Sequence, residues 1–123
     1  MERNYQRTLV GRLHQVHRWL TTEYPTPHPT FLTLVRKDMR RVEEQVWGEC
    51  YREGRRLHIE VTINQPWGIA VDTLLHEYAH ALVWPHAHLE DYQKDHGSEW
   101  SLAYGRLYRK YNDEDGAEES QHA

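Results

Sequence analysis

At 123 residues, with 38% hydrophobic and 28% charged side chains, the chain reads as one soluble globular domain with room for a single hydrophobic core. No run approaches the roughly 18 apolar residues of a membrane span, and MERNYQRTLV lacks the apolar centre of a signal peptide, so a cytoplasmic protein without a membrane partner is expected. Cys50 is the single cysteine, which excludes an intrachain disulfide and cysteine-rich zinc clusters; the net charge of −4 gives no overall footprint for nucleic acid.

Leu9, Leu13, Val16 and Leu20 recur at steps of four, three and four, with Arg7, Arg12 and Arg18 between them, which predicts an amphipathic helix from Tyr5 to near Tyr24. His14 and His17 lie within it and read as a surface and a boundary residue, because no carboxylate or third histidine accompanies them. Pro25, Pro27 and Pro29 stop the helix by removing backbone donors and disfavouring helical geometry in the residues before them. Phe31, Leu32, Leu34 and Val35 then read as a short strand, followed by the basic stretch Arg36 to Arg41.

Gln45 to Arg52, the turn Glu53, Gly54 and Arg55, and Arg56 to Asn64 read as strand, turn and strand, an antiparallel hairpin. In its second strand Leu57, Ile59, Val61 and Ile63 alternate with His58, Glu60, Thr62 and Asn64, so one face is buried and the other, His58 included, faces solvent. Asn64 and Pro66 lead into a helix with a wide apolar surface, from Trp67 and Ile69 to Leu82 and Val83, which ends at Pro85. After a polar connection, Gly97 to Tyr111 forms the last helix, with Trp100, Ala103, Tyr104, Leu107, Tyr108 and Tyr111 on one face. The domain is thus expected over residues 1–111, and residues 112–123, acidic and without core material, as a disordered tail.

The chemistry lies in Leu74 to Val83, LLHEYAHALV, which contains His76, Glu77 and His80 in the pattern H-E-x-x-H. On a helix, residues four apart share one face, so two imidazoles there can grip one metal ion. Zinc accepts neutral imidazole, a catalytic zinc takes three protein ligands and keeps one position open, and Glu77 beside the first ligand is placed to take a proton from water. A histidine-rich chain can produce this pattern by chance; the apolar helix around it, Leu74, Leu75, Tyr78, Ala79, Leu82 and Val83, argues for a real site.

Four residues compete to be the third ligand. His86 has the spacing of the long H-E-x-x-H-x-x-G-x-x-H motif, but Val83 stands where that motif needs glycine. His88 has no motif context, and Glu99 follows His80 by 19 residues, near the spacing at which proteases of the thermolysin kind supply a glutamate. His96 is preferred, since it opens the last helix in His96-Gly97-Ser98-Glu99-Trp100, where Gly97 allows close backbone approach and Trp100 anchors the turn.

Taken together, His76-Glu77-Tyr78-Ala79-His80-Ala81 and His96-Gly97-Ser98-Glu99-Trp100 resemble the paired motifs HExxHA and H-G-x-x-aromatic of the SprT-like zinc metalloproteases, the family that includes the DNA–protein crosslink protease Spartan. The likeness spans roughly residues 4 to 111. It implies an α+β, zincin-like metalloprotease core made of an N-terminal helix, a small antiparallel sheet, the H-E-x-x-H helix and a C-terminal helix. It further implies Zn2+ held by His76, His80 and His96, Glu77 as general base and acid, and protein or peptide substrates, DNA-associated or DNA-crosslinked proteins among them. The zinc ribbon or DNA-binding extension that family members often carry is missing from this sequence, so proteolysis carries over more safely than DNA dependence.

Two other classes stand beside this reading. A non-catalytic binding protein with structural zinc would close the coordination sphere with a fourth protein ligand such as Glu99 or His88. A nucleic-acid-associated accessory protein would bind DNA through Arg36, Lys37, Arg40, Arg41, Arg52, Arg55 and Arg56.

Overall fold

The computed structural model describes residues 2–36, 47–84 and 97–115, with the side chains of residues 2–7 and 114–115 excepted. Among these the chain is α+β, in the order helix α1 (Glu2–Glu23), strands β1 (Thr30–Val35), β2 (Gly48–Glu53) and β3 (Arg56–Thr62), helix α2 (Trp67–Leu82) and helix α3 (Ser98–Lys110). A π-helical turn, Tyr111–Asp115, continues α3.

The apolar stripe of α1 is buried completely at Leu9, Leu13, Val16 and Leu20, and the helix stops two residues short of Pro25. Helix α2 locks onto its end. The phenol of Tyr78, fully buried, donates to the Tyr24 carbonyl at 2.6 Å, with the Leu20 carbonyl at 3.3 Å as a longer second acceptor, so the Tyr24 carbonyl just past the helix end is satisfied from a neighbouring element. The Leu20 carbonyl also accepts the Tyr24 N–H at 2.8 Å.

The sheet corrects an expectation: it is mixed rather than antiparallel. Strand order is β1-β3-β2. Strands β2 and β3 form the antiparallel hairpin, with Gly54 in its turn at φ 65°, a conformation that glycine adopts without steric cost. Strand β1 runs parallel to β3, pairing Thr30 with Leu57 and Val35 with Thr62. The alternation of Leu57, Ile59 and Val61 was sufficient to assign a buried face, but a period of two is the same whichever direction the neighbouring strand runs. The two outer strands come from opposite sides in sequence of the connection through residues 36–47, and β3 fills the place between them.

Helix α2 packs under β2 and β3, α1 under β1, and α3 against α2. The core joins Leu57, Ile59 and Val61 to Leu9, Leu13, Val16 and Leu20, to Leu74, Leu75 and Tyr78, and to Leu107. Pro66 caps α2 at its N-terminus. Tyr111, the expected end of the last helix, keeps helical geometry (φ −60°, ψ −46°) and is buried. The helical path therefore runs on through Asp115, past the point where a disordered tail was expected; residues 116–123 lie outside the described residues. No helix among the described residues is long and apolar enough to cross a membrane.

Candidate functional site

Helix α2 carries the H-E-x-x-H motif in its second half. Leu74, Leu75, Tyr78, Ala79 and Ala81 are buried around it, which fixes the rotation of the helix and leaves the histidine face directed away from the core. His76 and His80 stand side by side there, half-buried, their ring centroids 5.3 Å apart. His76 Nε2 lies 3.9 Å from Glu77 Oε2, so the carboxyl and an imidazole edge face the same space.

Glu77 is only 8% exposed and is the one charged residue buried on α2. Burial, and after it the charge of Glu49, pushes its carboxyl up to about 7. Removing a carboxylate from water disfavours its charged form, and the result is a group that can exchange a proton near neutrality. A dication held beside it would draw the value back down. A cleft of about 240 Å³ opens over this group, lined by His76, Glu77, Asp72 and Thr73 of α2 and by Trp47 and Gly48 at the start of β2.

Helix α3 packs against the two imidazoles. Trp100 sits 4.7 Å from His76 in an edge-on arrangement and stacks on His80 at 5.3 Å. Its indole N–H donates to the His76 carbonyl oxygen at 3.2 Å. Tyr104 stacks on Trp100 and donates its phenolic hydrogen to Asp72, one turn before His76 on α2. Burial and the neighbouring Asp72 both push the Tyr104 hydroxyl upward, so it serves as a donor rather than as a phenolate.

Of the residues singled out from the sequence, His76, Glu77 and His80 are brought together. His96, the preferred third ligand, lies outside the described residues, as do His86 and His88. Glu99 is exposed in the first turn of α3. Among the described residues no group of three His, Cys, Asp or Glu side chains is placed to hold a metal ion. The donors that are present fit zinc: two adjacent imidazoles are its characteristic helical pair, and the third donor has to come from elsewhere in the chain.

Among the described residues the basic positions do not form one patch. Arg52, Arg55 and Arg56 are exposed at the hairpin end of the sheet, whereas Arg36 follows Val35 at the opposite end, roughly 20 Å away at about 3.3 Å per strand residue. Lys37, Arg40 and Arg41 lie outside the described residues. His58 is not simply solvated as expected: it lies between Phe31 and Tyr51, stacked on Tyr51 at 5.2 Å, with Arg56 over the Phe31 ring at 5.2 Å.

Four residues of the site were not singled out by sequence reasoning: Trp47, Gly48, Asp72 and Thr73, all of which line the cleft. A glycine in a strand can mark a close approach of backbone to another element, and Asp72 is four residues before His76 on the same helical face; both were available as signals. A scan against protein-family models and searches of curated proteins and of solved structures give no match to this chain.

Proposed function

We propose that the chain is a zinc-dependent metalloendopeptidase with a zincin-like core, akin to the SprT-like proteases, which cleaves protein substrates. DNA-associated proteins are among those substrates. The observation that carries this reading is the pair of adjacent imidazoles, His76 and His80, with His76 sharing a cleft with a buried carboxyl poised near neutral pH. His76 and His80 would hold the metal, with His96 as third ligand. When bound, zinc supplies Lewis-acid chemistry, polarising a carbonyl and acidifying water.

The chain's own residues account for the rest. Glu77 accepts the proton of the attacking water on a carboxylate oxygen and returns it to the leaving amine. Its burial keeps bulk water from competing for that proton. Trp100 holds the imidazoles from the α3 side, and β2, an edge strand among the described residues, would present its backbone groups beside the cleft to an extended peptide. Glu77→Gln is the decisive variant: it is expected to bind zinc as the parent does and to cleave no unfolded protein. Cleavage at the parent rate by that variant would end the assignment.

A second reading, association with nucleic acid, is favoured by Arg52, Arg55 and Arg56 beside the row of rings Phe31, His58 and Tyr51. It requires binding to single-stranded DNA that weakens with salt and with Arg55→Glu.

A further inference from the structure

Trp100, Tyr104 and Tyr108 stand one helical turn apart on α3, and their rings form an unbroken line. Trp100 stacks on Tyr104 at 5.2 Å and Tyr104 meets Tyr108 at 6.1 Å. The line begins at His80, stacked on Trp100, and ends at a groove of about 440 Å³ between the start of α2 and the end of α3. Trp67, Ile69, Val71, Leu75, Tyr108 and Tyr111 wall that groove. Asp72 borders it and also borders the cleft that holds His76 and Glu77, so the two hollows meet at one side chain. Tyr104 bonds to Asp72 at this junction.

The chemistry of the groove selects its occupant. Its size falls within the roughly 300–1,000 Å³ typical of ligand pockets. Ile69 and Tyr108 are 48% and 50% exposed, so an apolar group set there removes apolar surface from water. Among the described residues no lysine or arginine lines it and its one charged side chain is Asp72, which argues against acidic or phosphorylated ligands. Asp72 precedes His76 by four residues, about 6 Å along the helix axis. An extended peptide covers that distance in about two residues.

We infer that this groove is the specificity pocket of the peptidase proposed above, on which the inference rests, and that it takes a bulky apolar side chain within two residues of the scissile bond. Folded proteins bury such side chains, so the substrate class is unfolded or locally opened polypeptide.

The test maps cleavage sites by mass spectrometry in an unfolded carrier protein, using the parent and Ile69→Glu, a substitution at a half-exposed position. Phe, Tyr, Trp and Leu are expected to be enriched within two residues of the bonds cut. For matched Phe and Ala peptides the ratio of kcat/KM is expected to fall about tenfold in Ile69→Glu. Cleavage without that enrichment, or with a ratio unaltered by the substitution, overturns the pocket and leaves the peptidase reading standing. If the parent cleaves nothing, a fluorescein-labelled Phe-rich peptide titrated into Glu77→Gln decides. Binding that Ile69→Glu removes keeps an apolar-peptide site and ends the peptidase reading, whereas no binding ends both. A dimer in sedimentation that Ile69→Glu dissociates assigns the groove to a second copy and overturns the inference.

Discussion

Gly48 lies directly on Glu77: a methyl group added to this glycine would come within 3.2 Å of Glu77 Cγ and would overlap Thr73 Cγ2. Edge strand β2 therefore meets α2 backbone to side chain, and this closeness helps to bury the carboxyl. Gly48→Ala has to push the strand away or turn Thr73, whose branched side chain is stiff and already donates to the Ile69 carbonyl at 2.7 Å. Overpacking of this kind costs about 1–3 kcal/mol. Urea denaturation is expected to show that loss, together with a larger fall in peptide cleavage than in zinc binding. Equal stability in Gly48→Ala would mean that the contact carries no weight.

Trp100 touches both imidazoles and donates to the backbone of the helix that carries them. On the zinc reading proposed above, its role would be to hold the two imidazoles in one geometry, and residues behind metal ligands contribute about 10–100-fold to metal affinity. Trp100→Ala is expected to weaken zinc binding by that factor in a chelator competition. Trp100→Phe, which keeps a ring but loses the N–H, should fall between. Unchanged affinity in Trp100→Ala would place the tryptophan outside the site's support.

His17 supplies a pH dependence of its own. It pairs with Thr30 through Nε2 and Oγ1 at 2.9 Å and meets the Tyr78 ring edge-on at 6.2 Å. Burial, and after it the charge of His14, holds its imidazole below the usual 6.5. The unfolded chain then takes up the proton first as pH falls. The contribution of His17 is fully present above 6.5 and is lost as pH drops from 6.5 through the lower folded value. Thermal melts between pH 7.5 and 5 should therefore show a steeper loss for the parent than for His17→Gln. Parallel curves would refute the coupling.

The parts of this fold legible from sequence are those set by local period. Leu9, Leu13, Val16 and Leu20 define a helix face, Leu57, Ile59 and Val61 a strand face, and His76 and His80 share a helix face because they are four apart; all behave so in the structure. Relationships across elements were not legible. Nothing in the run from Phe31 to Val35 states that it pairs in parallel with β3. Nothing near Asp72 announces a hydroxyl from Tyr104, 32 residues on. Trp100, read as the anchor of the turn, packs half-buried against the core and also covers the imidazoles, a second role that an apolar stripe does not announce. His58 was read by strand alternation alone, while its ring neighbours were set by the registers of β1 and β2.

Cys50 offers a probe of the carboxyl that needs no substrate. It lies on β2 two residues after Gly48 and pairs with Ile59. Its thiol is pushed up to about 12, first by burial and then by the charge of Glu77. The thiolate is the reactive species, so at pH 8 the native protein should react with iodoacetamide far more slowly than an ordinary thiol, and at the ordinary rate once unfolded in guanidinium. Glu77→Gln removes the second cause while keeping the side chain's shape. Alkylation of Cys50 in that variant is then expected to be faster than in the parent, by a margin that shrinks as salt rises only to the extent that water reaches between the two groups. The same comparison at pH 5, where Glu77 with its value of about 7 is largely protonated, should show little difference between variant and parent. A rate gap that persisted at pH 5 would trace the effect to packing instead of charge.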